Sequence, residues 1–115
     1  MQLGLTTWSP LDSGILTGKY LNGIPDDSRA NRPSLGFVKE GVQNPETRKR
    51  VEKLNEISKK SGISMTHLAL GWCALNKNVS TVILGASRLE QLKENLGVLQ
   101  KLNQIADLKN ELDSI

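Results

Sequence analysis

The sequence predicts an α/β fold with two short strands and several helices. Alternating side chains at residues 3–9 and a β-branched run at residues 79–84 indicate the strands. Between and after these runs, apolar residues recur at three- and four-residue steps, which is the spacing of helices with one buried face. Because single cores usually close at about 100 to 200 residues, a chain of 115 residues forms one domain or part of one.

The first strand is predicted to end at Ser9, because Pro10 pushes the residue before it into an extended conformation. The segment 11–44 that follows is dense in Gly, Pro, Asn, Asp and Ser, and only residues 14–20 are suited to a helical turn. Connections longer than about 12 to 15 residues are uncommon in compact domains and tend to be either functional lids or disordered. The length of this segment therefore makes it a candidate functional region.

Two amphipathic helices are predicted after the long segment. The first spans residues 45–61, since Asn44 offers an N-cap, Pro45 suits the first helical position and Gly62 ends the helix. The second begins after Ser64. The apolar stripe of the first helix consists of Val51, Leu54 and Ile57, and that of the second consists of Met65, Leu68, Ala69, Trp72 and Leu75.

The second strand, at residues 79–84, is expected to be covered on both faces, as parallel strands usually are. Gly85 and Ala86 end it, and the spacing of Ser87 and Glu90 is that of a capping box, which predicts a third helix over about residues 88–99. The apolar residues expected to face inward are Leu89, Leu92, Leu96 and Leu99 on this helix, and Ile105, Leu108, Leu112 and Ile115 on a last amphipathic helix.

These elements do not complete a sheet. Two parallel strands that are buried on both faces need neighbouring strands, and no further strand-like run is present in the sequence. A (β/α)8 TIM barrel needs about 250 residues. The predicted fold is therefore an incomplete barrel, in which residues 1–115 form a single segment that supplies the C-terminal two βα units, strands seven and eight with their helices.

Composition excludes several classes of protein. A single cysteine, Cys73, cannot form an internal disulfide, and a single histidine, His67, cannot complete a Cys/His zinc site. No apolar run approaches the roughly 20 residues that span a bilayer, and the first residues lack the basic region of a signal peptide. We therefore expect a cytoplasmic protein without direct membrane insertion. Acidic residues interleaved with the basic residues of segment 46–60 argue against nucleic-acid binding.

The step from the second strand into the third helix favours an anion. Backbone N–H groups and the helix dipole attract phosphate there, while Gly85 allows close approach and Ser87 adds a hydroxyl. In (β/α)8 barrels the loops after strands seven and eight commonly bind phosphate. Simple capping of the helix is the alternative. In the long segment, Lys19 and Arg29 are either phosphate ligands or solvated surface cations.

Three groups of motifs, in chain order, carry a resemblance to a known family. They are TWSPL, GILTGKY, GIP and SRA at residues 7–11, 14–20, 23–25 and 28–30, then LALGWC at 68–73, then VILGAS and QLKENL at 82–87 and 91–96. They resemble, respectively, strand seven with its loop, helix seven, and strand eight with helix eight of the aldo-keto reductase superfamily. The branch that they resemble most is that of the β subunits of voltage-gated potassium channels and their fungal and bacterial relatives.

This resemblance implies a barrel that binds NADP(H) across the carboxyl ends of its strands, with the long segment closing over the cofactor. The cofactor-binding residues that it implies are Trp8, Ser9, Pro10 and Leu11 for the nicotinamide and pyrophosphate, Gly14 and Gly85 for close approach, Lys19, Arg29, Ser87 and Gln91 for the 2′-phosphate, and Glu94 and Asn95 for the adenine.

The chain departs from the family pattern at several positions. Asp12 and Ser13 stand where the channel subunits have small or sulfur-bearing residues, and Asp27 stands where they have an aromatic residue. An unneutralised Asp12 carboxylate near the pyrophosphate should weaken binding. The family's catalytic Tyr, Lys, Asp and His lie in the first half of the barrel, so the resemblance implies no catalytic residue here. Lys19 and Tyr20 are adjacent in the loop motif, which does not make them a proton relay.

The function that the resemblance implies is the NADP(H)-binding portion of an oxidoreductase. Once its barrel is complete, such an enzyme reduces a small aldehyde or ketone, whereas the isolated chain is expected to be inactive. Two alternatives remain open at this point. One is a regulatory nucleotide sensor like the channel β subunits, with a membrane channel as its partner, and the other is a truncated product without activity. A homo-oligomer also remains open.

Overall fold

The computed structural model describes residues 3–115, in which helices predominate and two strands pair. The strands are β1 (Leu5–Thr7) and β2 (Val79–Val82), and the helices are α1 (Gly36–Gln43), α2 (Pro45–Ser61), α3 (Met65–Ala74), α4 (Leu89–Leu96), α5 (Leu102–Asp107) and α6 (Lys109–Asp113). Short 3-10 helices lie in the connections, at Asp12–Thr17, Arg29–Asn31, Pro33–Leu35 and Gly97–Gln100. The α/β class predicted from the sequence is confirmed.

The two strands form a parallel pair. Leu5 lies opposite Val79 and Thr7 lies opposite Val82, with an irregularity in the register after Leu5. Beyond the last paired residues, the Ile83 N–H donates to the Thr7 carbonyl at 2.8 Å. Because the strands run in the same direction, the loops that follow them leave from the same edge of the sheet.

The helices on one side of the sheet enclose the core. Leu68 of α3 and Ile105 of α5 are both 0% exposed, and Leu54 of α2 is buried beside them in the same cluster. A side chain at Gly71 would collide with Ile105, so the glycine allows α3 and α5 to approach closely. We call this cluster of α2, α3 and α5 the packed side.

The ends of α2 and the start of α3 are those that the sequence predicts. The side-chain oxygen of Asn44 accepts from the N–H groups of Glu46 and Thr47 at 2.9 and 3.1 Å, and Gly62 ends α2 with a φ of 72°. The Ser64 hydroxyl accepts from the third N–H of α3 at 3.1 Å. These boundaries are confirmed because each depends on residues within one helical turn.

Several predicted elements differ from the structure. The long segment contains helix α1, which was not predicted because α1 includes two glycines and glycine disfavours helices. The predicted last helix is divided into α5 and α6 at Leu108. The capping box is wrong. Arg88 is the N-cap residue of α4 in an extended conformation and makes no capping bond through its side chain, while Ser87 bonds to Gln91 instead.

The predicted inward face of α4 is also wrong for this chain. Leu89, Leu92, Leu96 and Leu99 are exposed by 61, 38, 49 and 67%. Strand β2, expected to be covered on both faces, leaves Ser80 and Thr81 exposed. No element of residues 3–115 lies over these surfaces. We call β1, β2 and the apolar face of α4 the open side.

Candidate functional site

Two loops meet at the carboxyl edge of the strand pair. Trp8 directly follows β1 and is 79% exposed. Gly85 follows β2 at the same edge, and a side chain there would meet open space. This edge therefore offers a wide indole surface on one strand end and accessible backbone on the other. The sequence-predicted residues Trp8–Leu11 and Gly85–Ser87 are brought to one edge by the parallel pairing.

The loop after β1 turns through a series of left-handed conformations. Ser9, Asp12, Ser13 and Gly14 have φ angles of 52, 48, 57 and 97°. Two backbone hydrogen bonds of 3.0 Å, from Asp12 to the Ser9 carbonyl and from Gly14 to the Leu11 carbonyl, hold the turns. Left-handed conformations cost about 1–2 kcal/mol at each residue with a side chain. The loop therefore stores backbone strain directly beside the strand ends.

The side chain of Lys19 folds back over this loop. A Cβ on Gly14 would lie 2.7 Å from the Lys19 Nζ atom, and Nζ is 5.2 Å from the centre of the Tyr20 ring. The sequence predicts that Gly14 allows close approach to a ligand. In the structure, the group that takes up the space beside Gly14 is the Lys19 ammonium.

Arg29 begins a short 3-10 helix that is held by hydrogen bonds within its own loop. The Ser28 hydroxyl donates to the Pro25 carbonyl at 2.6 Å, and the Asn31 side-chain amide donates to the Asp26 carbonyl at 3.0 Å. The N–H of the next residue, Ala30, donates to the Tyr20 hydroxyl at 3.3 Å. Arg29 itself is exposed. Its backbone is thus fixed while its guanidinium faces solvent.

Neither loop cation is neutralised. Within residues 3–115 the ion pairs are Arg48 with Glu52 and Lys109 with Asp113, and no carboxylate lies within 4 Å of Lys19 or Arg29. The only carboxylate that the loop carries into its left-handed turns is that of Asp12, which is exposed. Two unpaired cations on a fixed loop are suited to an anionic ligand.

The residues at the start of α4 bond to each other. The Gln91 side-chain oxygen accepts from the Ser87 N–H at 3.0 Å and from the Ser87 hydroxyl at 3.1 Å. Both donors of Ser87 are therefore occupied, while the Gln91 amide N–H groups remain available. Among the described residues, no hydrogen bond joins this pair to Lys19 or Arg29. The structure thus joins Ser87 to Gln91 and places Lys19 and Arg29 in the long segment after β1.

The last two predicted cofactor residues lie in α4 and differ in exposure. Glu94 is exposed, and its carbonyl accepts from the Nε2 atom of His67 in α3. Asn95 is only 4% exposed and lines a groove of about 290 Å³ beside β2. The groove is otherwise mostly apolar, with Leu70, Val82 and Leu96 among its walls. The two residues therefore face different surroundings.

Other chemistry-bearing residues do not assemble into a site. Burial raises the pKa of the Cys73 thiol above its ordinary value, so the thiolate is disfavoured there. Residues 3–115 contain no cluster of His, Cys, Asp and Glu that would hold a metal ion. No helix in that range is both long and apolar enough to cross a membrane.

The sequence pattern of one family covers almost the whole chain. The pattern that defines the aldo/keto reductase family matches residues 2–114. The chain belongs to the aldo/keto reductase family. Membership indicates an oxidoreductase-type function, and it confirms the superfamily that the motifs resemble. The resemblance to potassium-channel β subunits stays a prediction.

Two contacts of this aldo/keto reductase chain were missed by sequence reasoning. The first joins Tyr20 to Ala30, and the second joins His67 to Glu94. Tyr20 and His67 have no role assigned from the sequence. Tyr20 bonds to the backbone next to Arg29, and His67 bonds to the backbone of Glu94 itself. Sequence spacing carries no signal for either contact, since the partners are 10 and 27 positions apart and lie in different elements.

Proposed function

We propose that this chain is the C-terminal, NADP(H)-binding part of an aldo-keto reductase that reduces aldehydes or ketones by hydride transfer once its barrel is complete. The observation that carries the proposal is the shared edge of the parallel strands. There Trp8 and Gly85 follow the two strands at the same edge, and the loop after β1 continues into two unpaired cations. Strand-end loops of this kind bind cofactors and phosphate in (β/α)8 barrels.

The extent of exposed surface supports an incomplete barrel. The chain exposes 7992 Å², whereas a compact monomer of 12.6 kDa exposes about 6,200 Å². The excess is about twice the roughly 800 Å² that one partner contributes to a standard interface. Much of the exposed apolar surface lies on the open side, where Leu89, Ile83 and Leu99 are each at least half exposed. The remaining βα units of a barrel would cover these surfaces.

The residues of the strand edge, of the loop after β1 and of the start of α4 fit the chemistry of NADP(H). The exposed indole of Trp8 suits contact with an aromatic ring. Lys19 and Arg29 supply positive charge without a competing carboxylate within 4 Å, which suits a phosphate. The side-chain amide of Gln91 retains free N–H donors. The Ser87 N–H and hydroxyl also become free to donate when their bonds to Gln91 open. The exposed Asp12 opposes binding, because a carboxylate repels the pyrophosphate.

In this proposal the chain binds and orients the cofactor, and other parts of the barrel supply the general acid that protonates the carbonyl oxygen. The nicotinamide of NADPH supplies the hydride that reduces the carbonyl carbon. Trp8 and its neighbours would orient that ring, while Lys19 and Arg29 hold the opposite, phosphorylated end. Tyr20 is unsuited to protonating the carbonyl oxygen, because it is only 6% exposed and its hydroxyl oxygen lies against the backbone of the buried Ala30. The isolated chain should therefore not reduce carbonyls.

Titration of the complete protein with NADPH and with NADH tests the proposal. We expect NADPH to quench tryptophan fluorescence at lower concentration than NADH, and the quenching to be smaller in Trp8→Phe. The same variant leaves Trp72 as an internal control, since Trp72 lies on α3 and bonds to Asp113 of α6. Absence of saturable NADPH binding would overturn the cofactor assignment.

Turnover and mass separate the remaining alternatives. Reduction of a generic aldehyde by the complete protein supports the reductase. Tight NADPH binding without turnover favours the regulatory nucleotide sensor instead. A native species of 12.6 kDa in the cell would point to the truncated product, whereas a mass about three times as large fits a complete barrel.

A further inference from the structure

We infer that Tyr20 is a positioning residue that sets the preference for NADPH over NADH, because one buried side chain holds both loop cations in place. The inference rests on the proposed function, in which Lys19 and Arg29 bind the 2′-phosphate. Tyr20 itself is not expected to touch the cofactor. It acts through the groups that it contacts: its hydroxyl bonds to the backbone next to Arg29, and its ring lies beside the Lys19 ammonium.

The hydroxyl of Tyr20 fixes the loop that carries Arg29. It accepts the N–H of Ala30, the residue after Arg29, at 3.3 Å. Ala30 is 2% exposed, so its N–H has little access to water and depends on this partner. Among the described residues, this is the only hydrogen bond that joins segment 11–21 to segment 25–35. Without it, the Arg29 loop keeps its internal bonds and the packing of Ala30 in the core, but it loses its hydrogen bond to segment 11–21.

The ring of Tyr20 holds Lys19. The Lys19 Nζ atom lies 5.2 Å from the ring centre, within the range of a cation–π contact. The same Nζ lies beside Gly14 in the strained turn after β1. The ring therefore favours the position of this exposed ammonium over the loop that leads from the strand ends.

Tyr20 is itself anchored to the packed side. It is 6% exposed and belongs to the same buried cluster as Val51 and Leu54 of α2. Ile15 and Val42 line a small cavity next to it. A side chain that is fixed at its base and contacts both cation-bearing segments sets the distance between them. Replacement of the side chain should therefore disturb the geometry of the two cations.

The two cofactors differ at the 2′-phosphate, which only NADPH carries. Disturbing Lys19 and Arg29 should therefore weaken NADPH binding and leave NADH binding nearly unchanged. A purely structural role of Tyr20 has a different signature. Loss of packing alone should lower the melting temperature and weaken both cofactors by the same factor.

Two substitutions in the complete protein test the inference. Tyr20→Phe keeps the ring and removes the hydroxyl, and it should weaken NADPH binding by about three- to tenfold, the range of one lost hydrogen bond. Tyr20→Leu removes the ring as well and should weaken it by about tenfold or more. NADH affinity should change by less than about twofold in both. Fluorescence titration gives both affinities, and melting without cofactor reports folding.

Trp72→Phe is the matched control. This substitution also removes one hydrogen-bonding group from an aromatic side chain, namely the indole N–H that donates to Asp113. The lost bond joins α3 to α6 and lies outside the long segment. The ratio of NADPH to NADH affinity should not change in this variant.

The outcomes separate the inference from the proposed function. Equal losses for the two cofactors in Tyr20→Phe, or no loss for NADPH, overturn the positioning role while the cofactor assignment stands. If Tyr20→Leu does not fold, the Phe variant alone decides. A wild-type protein that binds NADH as tightly as NADPH overturns the 2′-phosphate site and this inference together.

Discussion

Leu68 and Leu99 lie on helices with the same kind of apolar spacing, and the structure treats them in opposite ways. Leu68 lies on the packed side and is 0% exposed, whereas Leu99 follows α4 on the open side and is 67% exposed. Both were expected to be buried. The periodicity of a helix thus shows which face requires a partner, and it does not show whether the partner belongs to the same segment of chain.

The largest expected effect comes from truncating the packed side. Leu68→Ala should lower the free energy of unfolding of the 115-residue chain by about 2–5 kcal/mol, because the cavity is enclosed on all sides. Leu99→Ala should change it by less than about 0.5 kcal/mol, since the side chain is mostly in water. Urea denaturation of both variants measures the difference.

The same pair sharpens the comparison in the complete protein. If the barrel covers the open side, Leu99→Ala should there become about as costly as Leu68→Ala. A negligible cost of Leu99→Ala in both contexts would mean that nothing covers this face.

The next effect concerns cofactor binding by the long segment after β1 and leaves stability unchanged. Arg29→Ala should weaken NADPH binding by about ten- to a hundredfold, because charge-assisted hydrogen bonds contribute roughly 1.5–3 kcal/mol each. NADH binding should be nearly unchanged, and so should the urea midpoint, since Arg29 is exposed and forms no ion pair within the described residues. Titration of both cofactors in the complete protein gives the answer. Equal losses for NADPH and NADH would place Arg29 outside the 2′-phosphate site.

A smaller difference should separate two helix starts. Asn44→Ala removes a side chain that bonds to two N–H groups of α2, and it should cost about 1 kcal/mol. Ser87→Ala should cost clearly less, because the exposed Ser87 hydroxyl bonds to Gln91 and caps no N–H group of α4. Comparison of the two urea midpoints checks this order. A larger loss for Ser87→Ala would restore the capping box that the sequence suggests.

The smallest effect is a response to acid at the rim of the packed side. Hydrogen bonds from Lys109 and Trp72 lower the pKa of Asp113. A lowered pKa contributes stability at neutral pH that is lost as the pH falls through that pKa. Trp72 emission, recorded in Trp8→Phe, should therefore shift in acid, below about pH 4. The shift should vanish in Asp113→Ala, and its persistence there would assign the change to another carboxyl group.

The parts of the fold that sequence predicts well are those decided locally. Asn44, Pro45 and Gly62 bound α2 through contacts within one turn, and all three act as predicted. Ser87 was misassigned because the chain is still extended at Arg88, so the helix begins one residue later. Helix α1 was missed because it contains two glycines and is stabilised through the contacts of Val38, which is 1% exposed.

In the candidate site, too, some features follow from the sequence and others depend on contacts between distant residues. Parallel pairing brings the loop at Trp8 and the turn at Gly85 to one edge, which β/α alternation already implies. The contacts around the two loop cations, in contrast, are evident only from the structure. Tyr20 reaches Ala30 across a loop, and no periodicity or cap encodes that contact. The position of Lys19 over Gly14 likewise depends on a left-handed turn that is not evident from residue spacing.

The pairing of β1 with β2 also sets the order in which the molecule assembles. Thr7 bonds to Thr81 across 74 positions of sequence, whereas α2 and α3 form from neighbouring residues. Local helices form in about a microsecond, while contacts between distant residues must first overcome the entropy of closing a long loop. We therefore expect the strand edge at Trp8 and Gly85 to form late. A chain halted early in folding should carry its helices and lack this edge, so that binding of the proposed nucleotide should report the last step of folding.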